Sequence, residues 1–364
     1  MGLPEKIRAI EEEMKRTQVH KHTEHHIGLL KAKLAKLKVE QDIAQRSKSV
    51  RGPSFEVKKG GDCTVVLIGL PSVGKSTILN RLTNAKSKVG AYAFTTLTVV
   101  PGLLEHEGAK IQILDLPGVI SGASSGTGRG KRVLSVARNA DLILLVLDVF
   151  PPDQISTLKK ELYEMGIRLN TRPPNVTIER SSEGGLGITS TCTLTKLSEP
   201  TIRAILNVYK INHGNVIIRE DISDDQLIDV VAGNRRYVPA QVVLNKVDLV
   251  SAKYVEEARK RIGIDFIPIS ADQNLNIDKL KEAIYDRLSF IRIYLKPRNG
   301  EPDFNEPLVV TTGSTISDVC ARIHRTLAKG AKYALVSGTS AKFGSQRVGM
   351  DHIVQDRDVV TIIK

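Results

Sequence analysis

The spacing of apolar residues divides the chain into a helical start, a long alternating middle and a small mixed end. In residues 3–45 apolar side chains recur every three or four positions, at Ile7, Ile10, Met14, Ile27, Leu30, Leu34 and Leu37. This period predicts two amphipathic helices joined near residues 20–23. Each apolar stripe is too narrow for a core of its own, so the helices are expected to pair or to lie on a partner.

Short continuous apolar runs in the middle of the chain predict the buried strands of a parallel sheet. They occupy residues 64–68, 111–114, 142–148, 241–244 and 265–269. Helical patterns, among them 153–165 and 277–290, alternate with these runs, which is typical of an α/β domain.

Two further regions depart from that alternation. Residues 168–237 predict an α+β insertion, with strands at 175–179, 187–193 and 215–219 and helices at 199–209 and 223–231. After residue 290, strands at 308–311, 334–336 and 359–363 flank a helix at 316–327. We therefore divide the chain into a helical hairpin at 1–46, a linker at 47–62, an α/β domain at 63–290 interrupted by 168–237, and a final domain at 291–364.

Composition narrows the cellular setting and the partners. The net charge of +13 over 364 residues favours a polyanionic partner, nucleic acid or ribosome, over a basic protein without one. Cys63, Cys192 and Cys320 form no C-x-x-C pair, which indicates a reducing compartment without disulfides or a zinc site. The longest apolar run, 142–147, is too short for a membrane span. We expect a cytoplasmic, soluble and monomeric protein that does not bind membranes.

Residues 69–77 read Gly-Leu-Pro-Ser-Val-Gly-Lys-Ser-Thr and follow the first predicted strand. This is the strand, loop and helix context in which G-x-x-x-x-G-K-[ST] binds phosphate. Gly69 and Gly74 allow backbone N–H groups to approach the phosphate oxygens. Lys75 would reach the β- and γ-phosphates, and the Ser76 hydroxyl would bind Mg²⁺. The alternative is a glycine turn with a chance Gly-Lys-Ser.

Two later segments fit the same site. Tyr92-Ala-Phe-Thr-Thr-Leu-Thr98 lies between the first helix and the next strand, where a threonine would complete the Mg²⁺ shell and sense the γ-phosphate. Asp115-Leu-Pro-Gly118 ends a buried strand. Its carboxylate would hold Mg²⁺ through water, and its glycine N–H would reach the γ-phosphate.

The base is indicated by Asn245-Lys-Val-Asp248. The Asp248 carboxylate would accept hydrogen bonds from the N1–H and the 2-amino group of guanine, neither of which adenine offers in that arrangement. Ser270-Ala271-Asp272 follows the last predicted strand and would place a backbone N–H on the guanine oxygen. These residues favour GTP over ATP, and they argue against a small-molecule kinase that uses the same phosphate loop.

This ordered set resembles the Obg-like class of translation-factor-type GTPases. Within that class Gly-Leu-Pro-Ser-Val-Gly-Lys-Ser-Thr, Phe-Thr-Thr-Leu-Thr-Val-Val-Pro-Gly and Asp-Leu-Pro-Gly-Val-Ile are similar to the developmentally regulated GTP-binding (DRG) family, over the whole length. The resemblance implies a P-loop GTPase domain with an α+β insertion, an N-terminal helical hairpin and a C-terminal ubiquitin-like β-grasp domain of the TGS type. It also implies that the second threonine of the pair, Thr96, is the Mg²⁺ ligand opposite Ser76.

The candidate residues then take three roles. The catalytic residues are Lys75, Thr96 and Gly118, and the metal ligands are Ser76, Thr96 and, through water, Asp115. The residues expected to bind GTP or GDP are Gly69, Leu70, Pro71, Ser72, Val73, Gly74, Lys75, Ser76, Thr77, Phe94, Thr95, Thr96, Asp115, Leu116, Pro117, Gly118, Asn245, Lys246, Asp248, Ser270, Ala271 and Asp272.

Two positions affect the expected rate of hydrolysis. Where related GTPases carry a glutamine that orients water, this chain has Val119, which cannot hydrogen-bond water. Slow intrinsic hydrolysis is therefore expected unless a monovalent cation or a partner helps. Some relatives bind K⁺ through a phosphate-loop asparagine, and this chain has Ser72 there. Arg129, Lys131 and Arg132 either supply compensating charge or form a solvated turn.

Three other groups of residues have a functional and a plain interpretation. Lysines 31, 33, 36 and 38 either contact nucleic acid or form a solvated helix face. For the histidines at 20, 22, 25 and 26 a solvated helix junction is favoured over a metal site. The basic residues of the final domain either follow a phosphate backbone or are solvated: Arg322, Arg325, Lys329, Lys332, Lys342 and Arg347.

The function expected is a Mg²⁺-dependent GTP-hydrolysing switch that associates with ribosomes or RNA and acts in translation. K⁺ is a second candidate cation. The alternative is a nucleotide-gated RNA-binding scaffold whose hydrolysis is incidental. The resemblance further implies, in eukaryotes, a regulatory partner that contains a zinc finger.

Overall fold

The computed structural model describes residues 2–18, 20, 23–48, 60–83, 100–116, 136–150 and 154–363. These fall into two compact units, one formed by Met1–Ser54 and Gly166–Tyr237 and the other by Phe55–Met165 and Val238–Lys364. Within the described ranges, no helix has both the length and the apolar character that crossing a bilayer requires.

The described elements follow one another in chain order. The helices are α1 Leu3–Arg16, α2 Glu24–Lys48, α3 Lys75–Leu82, α4 Gln154–Glu164, α5 Glu199–Val208, α6 Asp224–Ala232, α7 Ala252–Ile262, α8 Ile277–Arg287, α9 Ile316–Ile323 and α10 Arg325–Gly330. The strands are β1 Cys63–Ile68, β2 Val100–His106, β3 Ala109–Asp115, β4 Leu142–Asp148, β5 Ile167–Leu169, β6 Val176–Arg180, β7 Leu186–Ser190, β8 Gly214–Ile218, β9 Arg236–Val238, β10 Ala240–Asn245, β11 Ile267–Pro268, β12 Phe290–Leu295, β13 Leu308–Thr311, β14 Tyr333–Ser337, β15 Gln346–Val348 and β16 Asp358–Ile363.

In the first unit helix α2 and the insertion share one hydrophobic core. The insertion folds as a three-stranded sheet with β8 in the centre, antiparallel to β6 and parallel to β7. Ala32 of α2 is fully buried in the same cluster as residues of α5 and α6, among them Ile202, Ile205 and Leu227. The stripe on α2 that is too narrow for its own core is therefore covered by the insertion, although more than 100 residues separate the two in sequence.

The lysines of α2 are largely held within this unit. Lys31 Nζ donates to Asp224 and Asp225 at 3.0 Å each, Lys36 Nζ donates to the Val208 carbonyl at 2.7 Å, and Lys38 pairs with Glu11 at 3.2 Å. Burial lowers the pKa of the Lys31 ammonium, but the two aspartates raise it above its usual value overall. These three lysines fasten α2 to α6, α5 and α1 respectively.

Two of the histidines near the helix junction, His25 and His26, have ordinary partners, and His22 lies outside the described residues. His25 Nδ1 lies 3.1 Å from the Thr201 hydroxyl, and His26 Nε2 lies 3.0 Å from Glu13. Among the residues that the structure describes, no three His, Cys, Asp or Glu side chains are grouped to hold a metal ion.

The second unit contains a six-stranded sheet in the order β11-β10-β4-β1-β3-β2. All its pairs are parallel except β2 with β3. Strands β1 and β10 are buried along their whole length, as their continuous apolar sequences predict. Since parallel strands end at the same edge, the segments after β1, β3, β10 and β11 meet there, which brings the predicted site residues into one region.

The final domain is a five-stranded sheet in the order β13-β12-β16-β14-β15, packed against α9 through Ile316, Val319 and Cys320. It is joined to the preceding domain by packing and by polar contacts. Val309 of β13 belongs to the core of the six-stranded sheet domain. At the tip of the β2–β3 hairpin, Glu107 pairs with Arg292 at 2.8 Å, and Gly108 lies against Pro307.

Two helices end earlier than their apolar patterns predict. The helix predicted at 277–290 stops at Arg287, because Ser289 adopts a left-handed φ of 51° and Phe290 opens β12. The helix predicted at 316–327 is divided at His324, whose backbone is extended. The His324 ring accepts a hydrogen bond from the Thr326 N–H at 3.3 Å and caps α10, so the apolar period continues across a break in the backbone.

Candidate nucleotide site

The loop between β1 and α3 has the backbone conformation that a phosphate loop needs. Gly74 has a φ of 89°, and Ser72 also lies in the left-handed region at 64°. A Cβ on Gly74 would come within 2.3 Å of Asn245 Nδ2. Glycine is therefore required at position 74 both by the backbone angle and by the close approach of Asn245 at the end of β10.

Lys75 is the buried cation of this loop. Its side chain is 7% exposed, and Nζ donates to the carbonyls of Gly69 at 3.0 Å and Leu70 at 2.8 Å. Burial lowers the pKa of the Lys75 ammonium, and the charge of Asp115 opposes that shift. The ammonium lies inside the loop, where it can exchange carbonyl partners for phosphate oxygens.

The side chains of Ser76 and Asp115 offer the oxygens that Mg²⁺ prefers. Ser76 Oγ donates to Asp115 Oδ2 at 2.5 Å. The other carboxylate oxygen, Asp115 Oδ1, is buried and has no hydrogen-bond partner among the described residues. A buried acceptor without a donor is costly, and a hydrated Mg²⁺ would satisfy it. The Ser76 and Asp115 side chains therefore fit Mg²⁺, the ion that the sequence predicts for them.

Asn245 connects the two ends of the site. Its side chain is 2% exposed. Nδ2 donates to the Val73 carbonyl of the phosphate loop at 2.9 Å, and Oδ1 accepts from the Ala271 N–H at 3.1 Å. One buried amide thus holds the phosphate loop and the loop after β11 at a fixed separation. The Ala271 N–H, one of the backbone donors in the loop predicted to reach the guanine oxygen, is already used by Asn245.

The remaining residues predicted to bind the base lie at the same edge of the sheet. Lys246 has a left-handed φ of 66°, and its ammonium pairs with Asp148 at 2.6 Å. Asp248 follows on a short 3₁₀ helix, Val247–Leu249, and is exposed. Ser270 is fully buried, and its hydroxyl accepts from the Gln273 N–H at 3.1 Å. The carboxylate of Asp248 is therefore exposed to a ligand, whereas Lys246 and Ser270 are held by hydrogen bonds within the protein.

Sequence reasoning missed Arg81 and Asp148. Arg81 lies in the last turn of α3 and donates Nε to the Ala271 carbonyl at 2.8 Å and a terminal nitrogen to the Asp272 carbonyl at 2.9 Å. About 190 residues separate these partners, and backbone carbonyls carry no sequence signature. Asp148 ends a buried strand, as Asp115 does, and that position was the one available signal for it.

Part of the predicted site lies outside the described residues. This holds for Phe94, Thr95, Thr96, Pro117 and Gly118, and also for Val119, Arg129, Lys131 and Arg132. Of the other predicted residues, Leu116 is fully buried, Thr77 is half-buried and Pro71 is exposed.

Three known families match successive parts of the chain. Residues 64–180 match the family described as 50S ribosome-binding GTPase, residues 183–290 match the C-terminal region of the MMR_HSR1 domain, and residues 291–364 match the TGS domain.

Similar proteins span the full chain. An uncharacterized GTP-binding protein of Methanocaldococcus jannaschii is 53% identical over 366 residues, which cover 100% of this chain and 93% of the relative. Developmentally-regulated GTP-binding protein 2 of Homo sapiens is 46% identical over 365 residues, with 100% of both chains covered. Among solved structures, the YchF GTPase of Schizosaccharomyces pombe covers 84% of this chain and 99% of its own, at 12% identity and a TM-score of 0.44.

Proposed function

The chain belongs to the developmentally regulated GTP-binding protein family, and from that premise we propose that its GTPase cycle is a switch that controls association with the ribosome or RNA. It is a GTP-binding protein with a P-loop GTPase domain and a C-terminal TGS domain. The proposal adds the output of the cycle, which is a binding state rather than a chemical product.

The observation that carries the nucleotide part of the proposal is the bridge made by Asn245. This amide holds the Val73 carbonyl and the Ala271 N–H at 2.9 and 3.1 Å. It therefore sets the distance between Lys75, which would bind phosphates, and Asp248, which would accept two hydrogen bonds from guanine. A nucleotide that carried guanine at one end and a triphosphate at the other would satisfy both.

Hydrolysis is proposed to depend on Mg²⁺ held by Ser76, Thr96 and, through water, Asp115. When bound, this ion neutralises charge on the β- and γ-phosphates. Lys75 adds a positive charge at the same phosphates, and the Gly118 N–H would bind the γ-phosphate. Val119 offers no hydrogen bond to the attacking water, so turnover by the chain alone is expected to be slow, with K⁺ or a partner raising it.

The β2–β3 hairpin is the proposed connection between nucleotide and output. In sequence it lies between Thr96 and Asp115, the two residues expected to sense the γ-phosphate and its metal ion. Its tip contacts the TGS domain through Glu107 and Gly108. A displacement of either end of the hairpin would therefore reach Arg292 and Pro307.

Charge and family description support a ribosomal or RNA partner. The net charge is +13, and the description matched by residues 64–180 is that of a ribosome-binding GTPase. Lys329, Lys332 and Lys342 of the TGS domain are exposed, and Arg347 stacks over the Tyr333 ring at 4.0 Å. Such a surface can follow a phosphate backbone. A cytoplasmic location and a regulatory partner protein belong to the same proposal.

The first experiment measures GTP turnover in Na⁺ and in K⁺, each with and without purified ribosomes. We expect ribosomes to accelerate turnover, and K⁺ to accelerate it if the Ser72 hydroxyl serves as a cation ligand. Stimulation by neither would contradict both ideas.

A second experiment separates the switch from a scaffold whose hydrolysis is incidental. Ribosome association of the wild type, of Lys75→Ala and of the exposed control Lys253→Ala is compared by co-sedimentation with GTP and Mg²⁺. A switch requires that Lys75→Ala lose association while the control retains it. Undiminished association of Lys75→Ala would favour the scaffold.

A further inference from the structure

We infer that Arg81 is a positioning residue for recognition of the guanine 6-oxygen, acting through the peptide group between Ala271 and Asp272. Arg81 itself is expected to make no contact with the nucleotide. The inference rests on the proposed assignment of residues 270–272 to the base.

Two backbone donors in or next to the 270–272 loop already have acceptors within the protein. The Ala271 N–H is taken by Asn245 Oδ1, and the Gln273 N–H is taken by the Ser270 hydroxyl. In the part of the chain that the structure describes, the Asp272 N–H has no protein acceptor. It is therefore the backbone donor of this loop that remains for a base oxygen.

Arg81 fixes the direction of that donor. The Ala271 carbonyl and the Asp272 N–H belong to one planar trans peptide, so they point in opposite directions. The Arg81 guanidinium donates to this carbonyl at 2.8 Å and to the next carbonyl, that of Asp272, at 2.9 Å. Two donors from one rigid, planar group hold two successive peptides, which a single ammonium cannot do. The Asp272 N–H is thereby held pointing away from Arg81.

The positive charge also strengthens the donor. A hydrogen bond to a carbonyl polarises its peptide and makes the attached N–H a better donor, and the effect is larger when the group bound to the carbonyl is charged. Arg81 lies on α3, the helix that begins in the phosphate loop. The helix that presents Lys75 and Ser76 to the phosphates at its start therefore supports the base loop at its end.

The test compares the dissociation constants of three diphosphates for the wild type and for Arg81→Gln. GDP and IDP both carry the 6-oxygen, and 2-aminopurine riboside diphosphate lacks it. We expect Arg81→Gln to weaken GDP and IDP about tenfold each, since a charge-assisted support is lost. The affinity for the 2-aminopurine nucleotide should change less than about twofold, because it has no atom for the Asp272 N–H to bind.

A merely structural role predicts a different pattern. Equal weakening of all three nucleotides, or no weakening of GDP, would overturn the inference. The matched control is Arg287→Gln, an exposed arginine in the last turn of α8, which should change none of the three affinities. If Arg81→Gln does not fold, Arg81→Lys is measured instead. Its single ammonium should weaken GDP and IDP less than about tenfold, but still more than it weakens the 2-aminopurine nucleotide.

The wild type separates failure of this inference from failure of the proposed site. It must bind GDP more tightly than the 2-aminopurine nucleotide if residues 270–272 and Asp248 read the base. If it does not, the assignment of the base site is wrong. If it does, and Arg81→Gln weakens all three nucleotides alike, only the role of Arg81 is wrong.

Discussion

The phosphate end and the base end of the candidate site differ in what their polar groups are bonded to. At the phosphate end Lys75 is bonded to two loop carbonyls and Ser76 to Asp115, partners that phosphates and Mg²⁺ would replace. At the base end Asn245 and Arg81 are bonded to backbone groups that a base would leave in place. In the proposed site the base end would thus be built in advance, whereas phosphate binding would require an exchange of hydrogen bonds.

Removing the cation of the phosphate end should have the largest effect. Lys75→Ala is expected to lower GTP turnover about a thousandfold, because the charge that stabilises the phosphates is lost from a buried site. Single-turnover hydrolysis of radiolabelled GTP measures it. Lys253→Ala, on the exposed face of α7, should retain wild-type turnover. A loss of less than about tenfold would show that another group holds the phosphates.

Changing the base reader should alter the choice of nucleotide rather than the chemistry. Asp248→Asn is expected to weaken GTP about a hundredfold, since the amide is uncharged, accepts only one of the two hydrogen bonds and turns an N–H group towards the other guanine donor. The same variant should gain affinity for XTP, whose 2-oxygen accepts from the new amide. Competition against a fluorescent nucleotide measures both. If Asp248→Asn bound GTP as the wild type does, Asp248 would have no part in base recognition.

Breaking the bridge between the two ends should affect folding and binding together. Asn245→Ala leaves the buried Val73 carbonyl and Ala271 N–H without partners, so we expect a loss of about 2 kcal/mol in the free energy of unfolding. GDP affinity should fall about tenfold in the same variant. Urea denaturation and equilibrium binding measure these changes. Asn207→Ala, an exposed position on α5, is the control and should change neither.

The smallest effect concerns the pH dependence of stability without nucleotide. Burial lowers the pKa of Lys75 below its ordinary 10.5, so the unfolded chain holds this proton more tightly than the folded one. The protonated form of Lys75 therefore costs stability near neutral pH relative to the neutral form, and this cost fades as pH rises through the lowered pKa towards 10.5. The melting temperature of Lys75→Met relative to that of the wild type should therefore fall as pH increases from 7. A difference between the two melting temperatures that is independent of pH would show that the charge is not its cause.

The residues of the candidate site could be proposed from the sequence, whereas the packing between distant segments could not. Gly74, Lys75 and Asp115 were identifiable because phosphate and Mg²⁺ demand particular residue types at fixed spacings. Arg81 was not, because its partners are backbone carbonyls far away in sequence. In the sequence, Lys31 and Lys36 are basic residues without an evident partner. The fold shows that both donate hydrogen bonds to residues of the insertion.

The same limit applies to the elements of the fold. Continuous apolar runs predicted β1, β4 and β10, because a strand buried on both faces needs apolar residues throughout. The break at His324 was not predicted, because the apolar spacing continues through it. At the break the His324 ring accepts a hydrogen bond from the Thr326 N–H in place of a helical carbonyl. The short strands β5 and β9 were missed because three residues give no period to detect.

The central claim is that a single site in this chain binds the phosphates and the guanine of one nucleotide. The measurement that tests it is competition of GTP and of ATP, each with Mg²⁺, against labelled GDP on the wild-type chain. The account predicts that GTP displaces the label at a concentration at least about a hundredfold lower than ATP does. Displacement by both at similar concentrations, or by neither, would contradict it.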